Sequence, residues 1–120
     1  MKLFGIAGSV GLLLGVALGA FAAHSLRAHL SDQMQNVFET GVRYQMYHSL
    51  ALLLVSILAE RSYLFQYAGV AYIIGILLFS VSLYVLALSG IKWLGAITPL
   101  GGLSFLIGHA MLLYGFIKAN

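Results

Sequence analysis

Four uncharged stretches, residues 3–26, 44–59, 62–91 and 93–117, divide the chain. A membrane-spanning helix needs roughly 20 predominantly apolar residues, with a range of about 17–25. Three of the stretches meet that length directly. The second has 16 residues and extends backward through Arg43 toward the interface. The pattern predicts an all-α membrane protein, with helices at about 3–24, 32–59 including an interfacial part, 65–89 and 96–117. They are expected to form a four-transmembrane-helix antiparallel bundle, a single integral membrane domain over residues 1–120.

The segment between the first two helices is amphipathic. Leu26, Leu30, Met34, Val37, Phe38 and Val42 recur at helical spacing, and Asp32, Gln35, Glu39 and Arg43 mark the other face. Such a stripe suits the headgroup region. Ser31 or Asp32 is the expected cap, and Glu39–Arg43 is an i,i+4 pair in the favourable orientation. Glu60-Arg61-Ser62 is a short turn that makes helices 2 and 3 antiparallel neighbours. Ser89-Gly90 is a C-terminal stop, with Gly90 able to take positive φ. Lys92 and Trp93 fit the interface, and Pro99 suits a first helical turn.

A stripe of small residues, Ala7, Gly11, Gly15, Gly19 and Ala23, follows the first helix at a spacing of four. In water each glycine would cost about 1 kcal/mol relative to alanine; in lipid, small residues let a neighbouring backbone approach closely. The predicted helix-packing set is Gly11, Gly15, Gly19 and Ala23, with Gly101 and Gly102 in the fourth helix. Its partner is helix 2, 3 or 4, or a second copy of the chain.

Composition supports the membrane class. Of 120 residues, 62% are hydrophobic and 8% charged, against about a quarter charged in soluble domains. The net charge of +3 rests on six scattered cations, so no nucleic-acid footprint is formed. With no cysteine, disulfides, thiolate metal sites and thiol redox chemistry are excluded. Lys2, an apolar core and Ala20-Phe21-Ala22 imitate a cleavable signal peptide. The regular glycine stripe and the three helices that follow favour a retained first span. Lys2, Arg61 and Lys118 fall on one side, with Arg27, Arg43 and Lys92 on the other. Three against three gives no positive-inside bias.

No acidic or basic residue lies mid-membrane, which argues against a proton-coupled pump. Small four-helix multidrug exporters resemble the chain in size but depend on a carboxylate in the first helix, absent here. Folding the helices up and down collects a polar pole: His24, Tyr44, Gln45, His48, Ser80, Ser82, Tyr84 and Thr98. His109, about 14 residues into helix 4, is expected nearer the opposite side and outside this group. The pole can bond to itself and hold the helices in register, or form a pocket for a headgroup, a quinone or a small solute. Haem ligation by His24 and His48 would need equal depth, and His48 is expected a turn deeper. His29 is expected in a solvated loop. Asp32, the sole aspartate, sits at a helix cap, so Ser-His-Asp catalysis has no support.

Four motifs occur in order: Gly19-Ala20-Phe21-Ala22-Ala23-His24; Tyr44-Gln45 with His48; Phe79-Ser80-Val81-Ser82-Leu83-Tyr84; and Thr98-Pro99-Leu100-Gly101-Gly102. Over nearly its whole length the chain resembles the uncharacterised small membrane proteins grouped with transmembrane protein 256, the bacterial domain of unknown function 423. The family pattern reads roughly G-A-F-G-A-H, Y-x-x-x-H, F-S-G-S-L-Y and T-P-x-G-G. Ala22 and Val81 replace glycines of that pattern, and His109 stands where the family often has Trp. The resemblance implies four membrane helices and, in bacteria, the plasma membrane; it implies no reaction.

The leading expectation is a non-enzymatic bundle that stabilises the membrane or supports a partner, without cofactor or metal. Membrane lipids, a second copy or another membrane protein are the expected partners. The alternative is a lipid, quinone or small-solute binding or transport module at the His24/His48 pole. An enzyme acting on a lipid or quinone is the third reading, and no nucleophile–base pair supports it.

Overall fold

The computed structural model describes residues 2–119, and every regular element among them is helical. Helix α1 (Lys2–Phe21) runs into a widened π turn (Ala22–Leu26), and α2 covers Asp32–Leu58. Helix α3 (Tyr63–Gly75), a second π turn (Ile76–Ser80) and α4 (Val81–Ser89) form one continuous rod. A 3-10 segment (Lys92–Ala96) leads into α5 (Thr98–Lys118). The four rods occupy a body of 52 × 26 × 18 Å.

Three rods, Lys2–Leu26, Tyr63–Ser89 and Lys92–Lys118, are long and apolar enough to cross a membrane. The rod α2 is not among them. Its first half carries Asp32, Glu39 and Arg43, and its uncharged part is only residues 44–59.

The helix ends follow local chemistry. The Ser31 hydroxyl accepts from the Met34 amide at 3.2 Å, and the Ser62 hydroxyl accepts from the Leu64 amide at 3.1 Å. Gly90 takes φ 73° and closes α4 on the Leu86 carbonyl. The Glu39–Arg43 ion pair is not formed: the Arg43 guanidinium instead donates to the Thr40 hydroxyl at 3.0 Å. The amphipathic stripe does not stand apart from the bundle. Phe38, fully buried, packs with Ala22, Leu26, Tyr84 and Ala87, and Leu30, Met34, Val37 and Val42 flank them.

Helix α1 lies along α2, and the contact is made through Gly8, Gly11 and Gly15. A Cβ on Gly11 would fall on the Ser49 hydroxyl, and one on Gly15 on the Met46 sulfur. One on Gly8 would lie 2.8 Å from the Ser49 carbonyl oxygen. The Ser49 hydroxyl is buried without a hydrogen-bond partner. A Cα–H of Gly11 points at it, a weak but recurrent contact between close helices.

The four-residue stripe therefore needs correction. A step of four residues turns about 400°, so each step drifts about 40°, and four steps drift about 160°. Ala7 and Ala23 cannot share a face. Ala23 is exposed, and Ala22 and Leu26 take its place against α2 and α4. Gly19 makes ordinary contact with Val42, at 3.4 Å from an added Cβ. Gly101 is required by a closer approach, since its Cβ would strike the Phe79 backbone; Gly102 is not, its nearest neighbour lying 3.9 Å away.

Elsewhere the packing rule is a ring seated on a glycine. Phe4 lies on Gly69, Tyr84 on Gly41, Phe105 on Gly75, Tyr72 on Gly108 and Phe65 on Gly115. In each pair a Cβ on the glycine would clash with the ring. The main core, Phe4, Leu52, Val55, Ala59, Ala68, Tyr72 and Phe105, is built on these seats.

Candidate functional site

Polar side chains form a band across the middle of the molecule, and α2 is its spine. One arm starts at Gln45. Its amide nitrogen donates to the Gly11 carbonyl of α1 at 2.8 Å, and its oxygen accepts from the Tyr84 hydroxyl of α4 at 2.6 Å. Gln45 and Tyr84 are both buried. One turn back, the Ser80 hydroxyl donates to the Gly41 carbonyl at 2.7 Å.

The second arm starts at His48. Its Nδ1 lies 2.7 Å from the Tyr44 carbonyl, and its Nε2 lies 3.0 Å from Nε2 of His109 on α5. His109 Nδ1 lies 2.8 Å from the Tyr72 hydroxyl on α3. The His48 ring stacks on Phe105 at 3.5 Å with an interplanar angle of 7°. Gly108 leaves the space in which the Tyr72 ring reaches its neighbour, and Gly75 does the same for Phe105.

With both rings neutral, this arm has one consistent assignment of protons. A carbonyl only accepts, so His48 Nδ1 carries the hydrogen and His48 Nε2 is bare. His109 must then donate from Nε2, which leaves its Nδ1 bare to accept from the Tyr72 hydroxyl. The direction runs from Tyr72 through His109 and His48 to the Tyr44 carbonyl. The assignment follows from the network of partners.

The second π turn aligns the two arms. Tyr72 and Ser80 are eight residues apart, which in a regular α-helix places them about 80° apart around the axis. A π turn absorbs an extra residue. It takes back about 100° of rotation, bringing the two side chains within about 20°, and both then face α2. The first π turn is tied down as well: the Gln35 amide donates to the Ala22 carbonyl at 2.8 Å.

Of the expected polar pole, the structure brings together Gln45 with Tyr84, and Ser82 with Thr98 at 2.7 Å. Ser80 joins the same band through the Gly41 carbonyl. Tyr44 contributes its carbonyl, while its partly exposed ring packs on Phe79 at 4.7 Å between centroids. His24 stands apart: it is exposed on the first π turn and bonds to no described residue. The partner of His48 is His109, which the depth argument had placed elsewhere. Helix α5 starts level with Ser82, about 10 Å short of the end of α4, and this offset carries His109 to the level of His48. Tyr72 and Ser104, whose hydroxyl donates to the Ala71 carbonyl at 2.7 Å, were also outside the expected set. Among the described residues no group of three or more His, Cys, Asp or Glu could hold a metal ion.

Beside Gln45 lies an apolar crevice of about 260 Å³ between α1 and the α3–α4 rod. Val10, Leu14, Ile76, Leu77 and Val81 line it.

The profile of the family described as Protein of unknown function (DUF423) matches residues 18–102. The UPF0382 membrane protein YwdK of Bacillus subtilis is 45% identical over 121 residues, covering 98% of each chain. UPF0382 membrane proteins of Staphylococcus haemolyticus and of Staphylococcus aureus are each 44% identical over 119 residues, again covering 98% of each chain. No solved structure matches. The profile covers more than half of the chain and the relatives nearly all of it, so the chain belongs to the DUF423 family, proteins of unknown function whose relatives here are named as membrane proteins.

Proposed function

We propose that this is a non-enzymatic, multi-pass protein of the plasma membrane. In this reading α2 is the fourth span of an antiparallel bundle, and its polar band clasps the helices together in a scaffold that stabilises the membrane or supports a partner protein. One observation carries the reading: apart from the Ser49 hydroxyl and the Gln35 side-chain oxygen, the buried polar side chains are spent on one another and on backbone carbonyls. Gln45 joins α2 to α1 and α4, and His48 joins it through His109 to α5 and α3. A solute site would need polar groups left unspent and facing a cavity.

Because the chain has no cysteine, single cysteines introduced one at a time report topology cleanly. Positions 29 and 91 are expected to react with a membrane-impermeant thiol reagent from one side, and position 60 from the other. Labelling of 29 and 60 from the same side would remove α2 as a span. Flux of small solutes in sealed vesicles is expected to equal that of empty controls; flux well above them would overturn the scaffold reading.

A second reading rests on the crevice beside Gln45. Its apolar walls suit an isoprenoid or acyl chain, with the amide at its edge available to a quinone or headgroup oxygen. Leu77→Trp would then displace a co-purifying lipid. Retention unaffected by that substitution rejects the site.

A further inference from the structure

The end of the molecule where α2 turns into α3 and where α5 finishes holds a cavity of about 190 Å³. Arg61 and Lys118 stand at its rim, from two different rods, and Phe65 and Gly115 form its floor, the ring lying on the glycine. Neither cation has a carboxylate partner among the described residues. The Lys118 ammonium is held over the Tyr114 ring at 5.6 Å from its centroid. Lys2 belongs to the same end, because α1 begins where α2 finishes: Gly5 faces Ser56 and Phe4 faces Gly69. Three cations therefore meet one carboxylate, Glu60, at this end, a local excess of two positive charges.

We propose that this cavity binds the phosphate of an anionic phospholipid. Two features select that ligand over a simple counter-ion. The rim is cationic while the floor is apolar, which matches the junction of a phosphodiester with its acyl chains. One charge comes from the turn between α2 and α3 and the other from the end of α5, and they converge on one space, so a single phosphate can meet both. Basic pockets between helices at a membrane surface recognise lipid headgroups in this way, and arginine suits phosphate through paired N–H donors. The inference rests on the reading above that these helix ends lie at the membrane interface.

Native mass spectrometry of the detergent-purified protein tests it. The probes are dihexanoyl phosphatidylglycerol, dihexanoyl phosphatidylcholine and inorganic phosphate. One phosphatidylglycerol is expected to remain bound, with phosphatidylcholine retained at least tenfold less. Arg61→Gln with Lys118→Gln should lower phosphatidylglycerol retention about tenfold or more, Arg61→Lys should keep most of it, and Arg43→Gln should leave it unchanged. Equal retention of the two lipids, or retention unaffected by the double substitution, overturns the site. Displacement of the lipid by inorganic phosphate at equal concentration overturns the lipid assignment. If the double variant does not fold, the Arg61→Lys arm and the lipid comparison on the unaltered chain still decide. Since this measurement needs no bilayer, its failure is separate from a failure of the topology labelling.

Discussion

Gln45 and His48 stand three residues apart on α2, and each ties two other helices to it, but they do so differently. The Gln45 arm is closed: Gln45 and Tyr84 are buried, and the partners of Gln45 are a carbonyl of α1 and a hydroxyl of α4. The His48 arm is open: it passes from a buried ring to His109, which is exposed on the outer face of α5. Burial makes the closed arm costly to cut, because a severed partner is kept from solvent. The open arm ends on the exposed His109 ring, where a substituted side chain has room to rebuild a contact. One helix thus carries a fixed clasp and an adjustable one.

The largest test of this contrast is Gln45→Leu. It removes the 2.6 Å acceptor of the buried Tyr84 hydroxyl, at a cost of about 2 kcal/mol. Unfolding in mixed micelles, followed by circular dichroism, reads the loss. His109→Gln should cost less, about 0.6 kcal/mol, the average for a polar contact between membrane helices. A loss for His109→Gln equal to that for Gln45→Leu would erase the distinction between the arms. A third measurement sharpens the contrast without changing stability. Nitrogen-15 spectra of the histidines at neutral pH should show His48 protonated on Nδ1 and His109 on Nε2, the two opposite tautomers. The same tautomer on both rings would break the deduced direction from Tyr72 to Tyr44.

The contrast also shows what could be read from the chain beforehand. Long uncharged runs mark helices because a charge in hydrocarbon is costly in any fold, and Ser31, Gly90 and Pro99 acted locally as caps and stops. Gln45, Ser80, Ser82, Tyr84 and Thr98 were found because they lie near one end of their runs. Rotational phase was not legible. The buried positions on the third rod run Phe65, Ala68, Tyr72, then Ser80, Tyr84, Ala87. The gap between Tyr72 and Ser80 is one residue longer than a regular helix allows, and a fixed period averages over that slip. Tyr72 was missed for this reason. His109 was misplaced because its depth depends on the 3-10 segment folding α5 back alongside α4, a tertiary offset with no sequence signature of its own. The stripe ending at Ala23 failed for a related reason, since spacing by four matches the helix only over two or three steps.

The π turn at Ile76–Ser80 holds the one residue by which the spacing of the two clasps exceeds that of a regular helix. The exposed side chain of Leu77 can vary in size with little effect on either arm. Removing a single residue there would let the rod relax into an unbroken α-helix of better local geometry. Ser80 would then follow Tyr72 by seven residues, about 20° short of two full turns, so both arms would keep their phase. The turn should therefore tolerate the loss of one residue, whereas one further inserted residue would swing Ser80 and Tyr84 about 100° away from Gly41 and Gln45. A relative with a one-residue gap between the positions of Tyr72 and Ser80 can keep both arms on an unbroken α-helix.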